Sequence, residues 1–223
     1  AGAAPEQYAP QLITAYGQLP ETLRPYSVLS IAVAGDNAAA REKAFQGLLP
    51  GLQAAGIPVV IRISGAAPKW RYPQEELEEI LNAFTIVKGV EAADLSFNEY
   101  DPEAGEQARL SDQAAWLAGI IDTAARYGRF TYIPMDGIDW CRMLSNPANR
   151  PLYNKFTQCQ GHVIPACLHR GPHTVTGISA LMGLWLEGAA GQWAVAADSR
   201  WYSDAGFIEP GMFFAPGKPR TTA

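Results

Sequence analysis

The residues best placed to do chemistry are Asn98-Glu99-Tyr100, which close the short apolar run Leu95-Ser-Phe. A carboxyl group and an amide side by side at a strand end, next to an aromatic ring, suit the cleavage of a glycosidic bond. One carboxylic acid protonates the departing oxygen, a second carboxylate attacks or activates water, and flat rings stack on the sugar's C–H face. Glu99 is the lead acid. Read alone, it is equally a solvated loop residue or a helix cap. Asp136, Asp139 and Asp198 supply further carboxylates, and Trp70, Tyr100, Trp140, Trp193, Trp201 and Tyr202 supply rings. Trp116 and Trp185 fall inside helical periodicity and are assigned to the core. The Asp198-Ser-Arg-Trp-Tyr202 run reads on local grounds either as part of a site or as the cap of a new helix.

Other chemistries are poorly served. A nucleophile elbow of the form Gly-x-Ser-x-Gly is absent, and Cys141, beside Trp140, reads as a small buried apolar residue. His169 and His173 are separated by Gly171-Pro172, which interrupts the helix that would set both rings on one face, so no metal site is expected. Three cysteines, Cys141, Cys159 and Cys167, allow at most one bridge within the chain and make no disulfide framework.

The elements that must position these groups alternate between short apolar strands and helical periodicity. Strands are expected at residues 27–34 (SVLSIAVA), 58–64 (PVVIRIS), 94–98, 129–135 (RFTYIPM), 162–168 (HVIPACL) and 192–197 (QWAVAA). Helices are expected near residues 38–55, 73–84, 111–127, 152–159 and 174–188, with Ser111 capping the third and Gly128 stopping it. Strands apolar on both faces and separated by helices imply an α/β fold with a parallel sheet. The turn after the first strand, Ala34-Gly-Asp-Asn-Ala-Ala-Ala, has one glycine and no phosphate-cradling pattern, which disfavours a doubly wound nucleotide-binding sheet. Polar groups recur at the strand ends instead: Gly35-Asp36-Asn37, Asn98-Glu99-Tyr100, Asp136 to Trp140, His169-Arg170 and Asp198 to Tyr202. That placement is the habit of a (β/α)8 TIM-type barrel. Six strands in 223 residues fall short of the eight in about 250 residues of a whole barrel, so a barrel incomplete at its C-terminus is expected.

Composition sets the outer bounds. At 223 residues and 48% hydrophobic the chain is expected to form one domain over its whole length, 1–223. A net charge of −5 with both signs interspersed gives no basic stripe for nucleic acid, and an uncharged ligand such as an oligosaccharide fits better. No uninterrupted apolar run approaches the roughly 20 residues needed to span a bilayer. The start, Ala1-Gly-Ala-Ala-Pro5, reads either as the end left by a removed signal or as an arbitrary boundary.

The segments Leu19-Pro-Glu-Thr-Leu-Arg-Pro-Tyr26, Asn98-Glu99-Tyr100, Gly183-Leu-Trp-Leu-Glu-Gly188 and Gly191-Gln-Trp-Ala-Val-Ala-Ala-Asp-Ser-Arg-Trp-Tyr202 together resemble the catalytic barrel of glycoside hydrolase family 98, over about residues 12–210. The resemblance implies a secreted, inverting endo-β-galactosidase that releases blood-group A or B oligosaccharides, with no cofactor. It implies that Glu99 is the general acid and that Asp198 belongs to the base machinery. Asn98, Tyr100, Asp136, Trp140, His169, Trp193, Trp201 and Tyr202 are then the expected sugar contacts. Further β-sandwich or carbohydrate-binding domains outside this chain would also fit. One departure stands out: the family's base machinery includes a glutamate on a later strand, and no matching run precedes Ala223, Glu209 lying too close to Asp198. Two alternatives therefore stay open, a glycan-binding barrel that does not cleave and a retaining glycosidase of another barrel family with Glu99 as acid/base.

Overall fold

The computed structural model describes residues 8–33, 38–64, 71–97, 104–169 and 175–197. Helix α1 (Tyr8–Gly17) leads into β1 (Leu29–Ala32), followed by α2 (Ala38–Ala54), β2 (Val59–Ser64), α3 (Gln74–Ala83), β3 (Val87–Ala93) and α4 (Ala104–Arg126). The second half continues with β4 (Phe130–Met135), α5 (Gly137–Ser145), α6 (Arg150–Gln158), β5 (Val163–His169), α7 (Val175–Leu186) and β6 (Ala194–Ala197). All neighbouring strands are parallel, and their order in the sheet is β1-β2-β3-β4-β5-β6. A doubly wound sheet reverses its strand order at a switch point, whereas a barrel adds each strand on the same side of the last. The unreversed order therefore gives six strands of a half-barrel, with the complete eight-stranded closure not present among the described residues.

The helix-facing side of the sheet is the core. Ile31, Ile61, Ile63, Val90, Ile133, Met135, Val163 and Cys167 alternate along their strands and are buried beneath the helices. Helix α3 shows the matching pattern, with Leu77, Ile80 and Leu81 buried at helical spacing and a Glu-rich face outward. The buried residues fall into two lobes, one built on β1–β3 with α2 and α3, the other on β4, β5 and α5–α7. Helix α4 serves both: Ile120 packs in the first, Leu117 and Ile121 in the second, and Trp116 touches each.

The concave side differs from the usual barrel interior of branched aliphatics. Arg62, Glu91 and Tyr132 are lateral neighbours across β2, β3 and β4. Ser30 donates to Glu91 at 2.6 Å, and Arg62 lies 3.6 Å from the same carboxylate. Burial, and then the Glu91 charge, raise the Tyr132 hydroxyl above its ordinary value.

Three features depart from the sequence reading. The third strand is Val87–Ala93, not residues 94–98. Gly89 and the alanines of Val-Lys-Gly-Val-Glu-Ala-Ala carry weak strand propensity, but Gly89 leaves the space filled by the Phe130 ring of β4, where a Cβ would come within 2.5 Å of ring carbons. Helix α4 begins at Ala104, with Ser111 inside it rather than capping it. Glu, Gln, Ala, Arg and Leu before Ser111 are all strong helix formers. Helices α1 and α5 were not anticipated, because α1 buries only Ala9 fully and α5 starts at a residue read as a loop carboxylate.

Candidate active site

Of the polar groups expected to act, Asp136 follows β4 and His169 ends β5, both at C-terminal strand ends, and the segment leaving β3 is held there by several contacts. Asp94 turns the chain there with φ of 53°, the one non-glycine residue with positive φ among those described. Left-handed backbone is costly for most side chains and least so for Asp and Asn. Arg62 of β2 lies 3.8 Å from the Asp94 carboxylate, a solvent-exposed pair of modest strength. The chain then folds inward, burying Leu95 and Phe97.

Two more elements hold the same segment. Gln113, fully buried on α4, donates from Nε2 to the Ser96 carbonyl at 2.9 Å, while its Oε1 has no hydrogen-bond partner among the described residues. Asp139, in the first turn of α5, accepts the Phe97 backbone N–H at 2.9 Å and lies 3.4 Å from the Ser96 hydroxyl. A carboxylate in a first helical turn is also favoured by the unpaired N–H groups of that turn. The four residues preceding Asn98-Glu99-Tyr100, Asp94 to Phe97, are thus fastened from β2 at Asp94 and from α4 and α5 at Ser96 and Phe97.

The other expected site residues divide. Asn98, Glu99, Tyr100, Asp198, Trp201 and Tyr202 lie outside the described residues, as do Trp70 and His173. Asp136 is half-buried at the N-cap of α5, and its carbonyl accepts from Trp140 N at 3.1 Å. His169 ends β5, paired in register with Ala197 of β6. Trp193 precedes β6 with part of its ring in solvent. Trp140 is placed in the core instead: it is fully buried, stacks edge-on against Phe156, and donates its indole N–H to the Ala166 carbonyl at 2.9 Å. A ring with both faces covered has none to offer a sugar. Trp185, read as core, is 48% exposed, and Cys141, read as buried, is exposed. Helix α5 is the reason for two of these reversals, since it turns Trp140 inward and the next residue outward.

Under the site, α5 and α7 cross at two glycines. A Cβ on Gly177 would fall 2.6 Å from the Gly137 Cα and closer still to the Cys167 sulfur. Burial foremost, then the charges of Asp136 and Cys141, push the Cys167 thiol up to about 11. None of the three cysteines is in a disulfide. Among the described residues no group of three His, Cys, Asp or Glu side chains could hold a metal ion, and no helix is long and apolar enough to cross a membrane. A cleft of about 620 Å³ between the end of α5, the start of α6 and α7, lined by Met143, Arg150, Tyr153 and Glu187 among others, contains none of the expected site residues.

Sequence reasoning missed Asp139 as a fastening and Gln113 altogether. The signal for Gln113 was available, a polar residue on the stripe formed by Leu117, Ile120 and Ile121.

No protein-family profile and no curated protein matches the chain. Solved structures do. The chain is similar to the catalytic module of a family 98 glycoside hydrolase from Streptococcus pneumoniae TIGR4 in complex with the H-disaccharide blood group antigen, with a TM-score of 0.65 at 18% identity over 85% of this chain. The same module in complex with the Lewis Y pentasaccharide antigen matches equally, with a TM-score of 0.65 and 18% identity, and its native form matches with 0.63 over 84% of this chain. The chain spans about a third of the length of these structures, 34% in each case. The likeness is one of fold.

Proposed function

We propose that this chain carries the acid-bearing part of a glycoside hydrolase barrel acting outside the cell on blood-group-type glycans, as an inverting endo-β-galactosidase. The observation that carries the reading is the fold shared over 85% of the chain with a family 98 catalytic module whose complexes hold blood group antigens. The fastening of the segment ahead of Glu99 supports it, because an acid must be held within hydrogen-bond reach of the oxygen it protonates. In this reading Glu99 protonates the departing glycosidic oxygen. Asp198 takes part in activating a water on the opposite face of the ring, which inversion allows only if the carboxyl groups stand roughly 6.5–9.5 Å apart. Asn98, Tyr100, Asp136, His169, Trp193, Trp201 and Tyr202 are the sugar contacts; Trp140, being buried, is not one of them.

The test is a glycan panel containing A, B, H and Lewis Y oligosaccharides, followed by mass spectrometry, with the product anomer read by NMR. Release of an oligosaccharide as the α-anomer from a β-galactosidic bond is the expected result. Glu99→Gln should lower kcat by about 10²–10⁴-fold, the usual share of a general acid, with KM little changed. A β-anomer would point instead to a retaining glycosidase with Glu99 as acid/base. Binding with no cleavage would point to a glycan-binding barrel.

A further inference from the structure

We infer that the cleft between the far ends of α5 and α7 and the start of α6 is a separate, non-catalytic site for a neutral oligosaccharide. It goes beyond the functional reading above and stands on the lining of the cleft alone. Helices α5 and α7 both begin beyond C-terminal strand ends, after β4 and β5, and the cleft opens at their other ends. Its volume of about 620 Å³ lies within the roughly 300–1,000 Å³ of small-molecule sites.

Three uncommitted polar ends line it. Arg150 and Glu187 are exposed and Tyr153 is half-buried, and none of these side chains has a hydrogen bond or ion pair to another described residue. Arg24, Arg41, Arg62 and Arg126 are by contrast all bonded or paired. The rest of the wall is largely apolar: Met143 and Leu184 belong to the second lobe of the core, and Tyr153 packs against it. A guanidinium only donates, a carboxylate only accepts, and a phenol does both. The opposite charges of Arg150 and Glu187 leave no net field to select an anion or a cation. A ligand that answers this lining has hydroxyls that both donate and accept, an apolar C–H face and no charge, which describes a sugar ring.

Gly183 is a second, independent observation. It stands inside α7 on the cleft wall, and a Cβ there would meet nothing within 4 Å. Glycine within a helix is destabilising relative to alanine. At Gly51, Gly119, Gly137 and Gly177 a neighbour accounts for the helical glycine, since a Cβ would come within 3.2 Å of another atom. Gly183 has no such neighbour and is not among the glycines with positive φ. What its missing side chain provides is open cleft.

The test is an NMR titration of the ¹⁵N-labelled chain with the H disaccharide at millimolar concentration. Backbone amides between Met143 and Tyr153 and between Ala180 and Glu187 should shift, as a set distinct from any at the strand ends. Arg150→Ala and Glu187→Ala should each weaken that binding about 10-fold, the share of a hydrogen bond to a charged group. Gly183→Leu should abolish it, because leucine fills the open wall while favouring the helix. Trp185→Ala, on the same helix but outside the cleft, should leave it unchanged. Unmoved amides in the wild type, or shifts that persist in Gly183→Leu, would overturn the inference, and so would shifts with a capped tripeptide but with no saccharide. Circular dichroism checks the fold of each variant, and the two polar substitutions decide the matter should leucine disturb α7. Cleft shifts with no panel glycan cleaved would uphold this site and sink the hydrolase reading. Cleavage without cleft shifts would do the reverse.

Discussion

Cys141 and Cys167 sit close enough to feel each other's charge, yet burial gives them opposite chemistry. The thiolate is the reactive form, and burial beneath the α5–α7 crossing disfavours it at Cys167. Iodoacetamide at neutral pH is expected to modify Cys141 in the native protein and Cys167 only after unfolding, read by mass spectrometry of tryptic peptides. Rapid native labelling of Cys167 would mean that the glycine crossing opens. The same burial gives a pH dependence. The folded thiol titrates near 11 and the unfolded one near 9.0, so this contribution to stability is full below about 9 and lost as pH rises to 11. Urea midpoints should therefore fall over that window, and fall less in Cys167→Ala.

At the level of elements, the α5–α7 crossing is set by the absence of two side chains. Gly177→Ala would drive a methyl group into the Gly137 backbone and the Cys167 sulfur, neither of which is the free end of a flexible side chain. A loss of about 1–3 kcal/mol in thermal or urea unfolding is expected, the usual cost of overpacking. The crossing was not legible in the sequence, because α5 itself was not. Its apolar face, Gly137, Trp140 and Met143, spans only about two turns and begins at a carboxylate that reads as a loop residue. Five of the six strands were legible from apolar runs such as Val59–Ser64. β3 was not, because Leu95-Ser-Phe97 has the better alternation and is buried without belonging to the ladder. Glu99 and Asp139 are both named from residue type as carboxylates suited to chemistry, but the hold of Asp139 on the Phe97 N–H was not foreseen, since a main-chain partner leaves no mark in a sequence, and Gln113 shows itself only as a polar residue on an apolar helical stripe. Tryptophan exposure followed helix phase: Trp140 went inward and Trp185 outward.

Across the described residues, two lobes of core share one helix, and Trp116 on that helix packs against both. Its indole N–H donates to the Tyr72 carbonyl at 3.2 Å, and the Arg71 guanidinium lies 5.6 Å from its ring centre. Trp116→Ala is expected to cost about 3–5 kcal/mol and to split denaturant unfolding into two transitions. A single transition with the wild-type slope would show that the sheet alone couples the lobes. The segment after β3 spans the same seam: Arg62 lies in the first lobe's sheet, Asp139 in the second lobe's helix, and Gln113 on the helix between them. Like a surveyor's mark sighted from three stations, it keeps its coordinates only while the stations keep theirs. A small slip between the lobes, too slight to register as unfolding, would surface first as a displaced mark, which turns this segment into a gauge of how well the two halves are aligned.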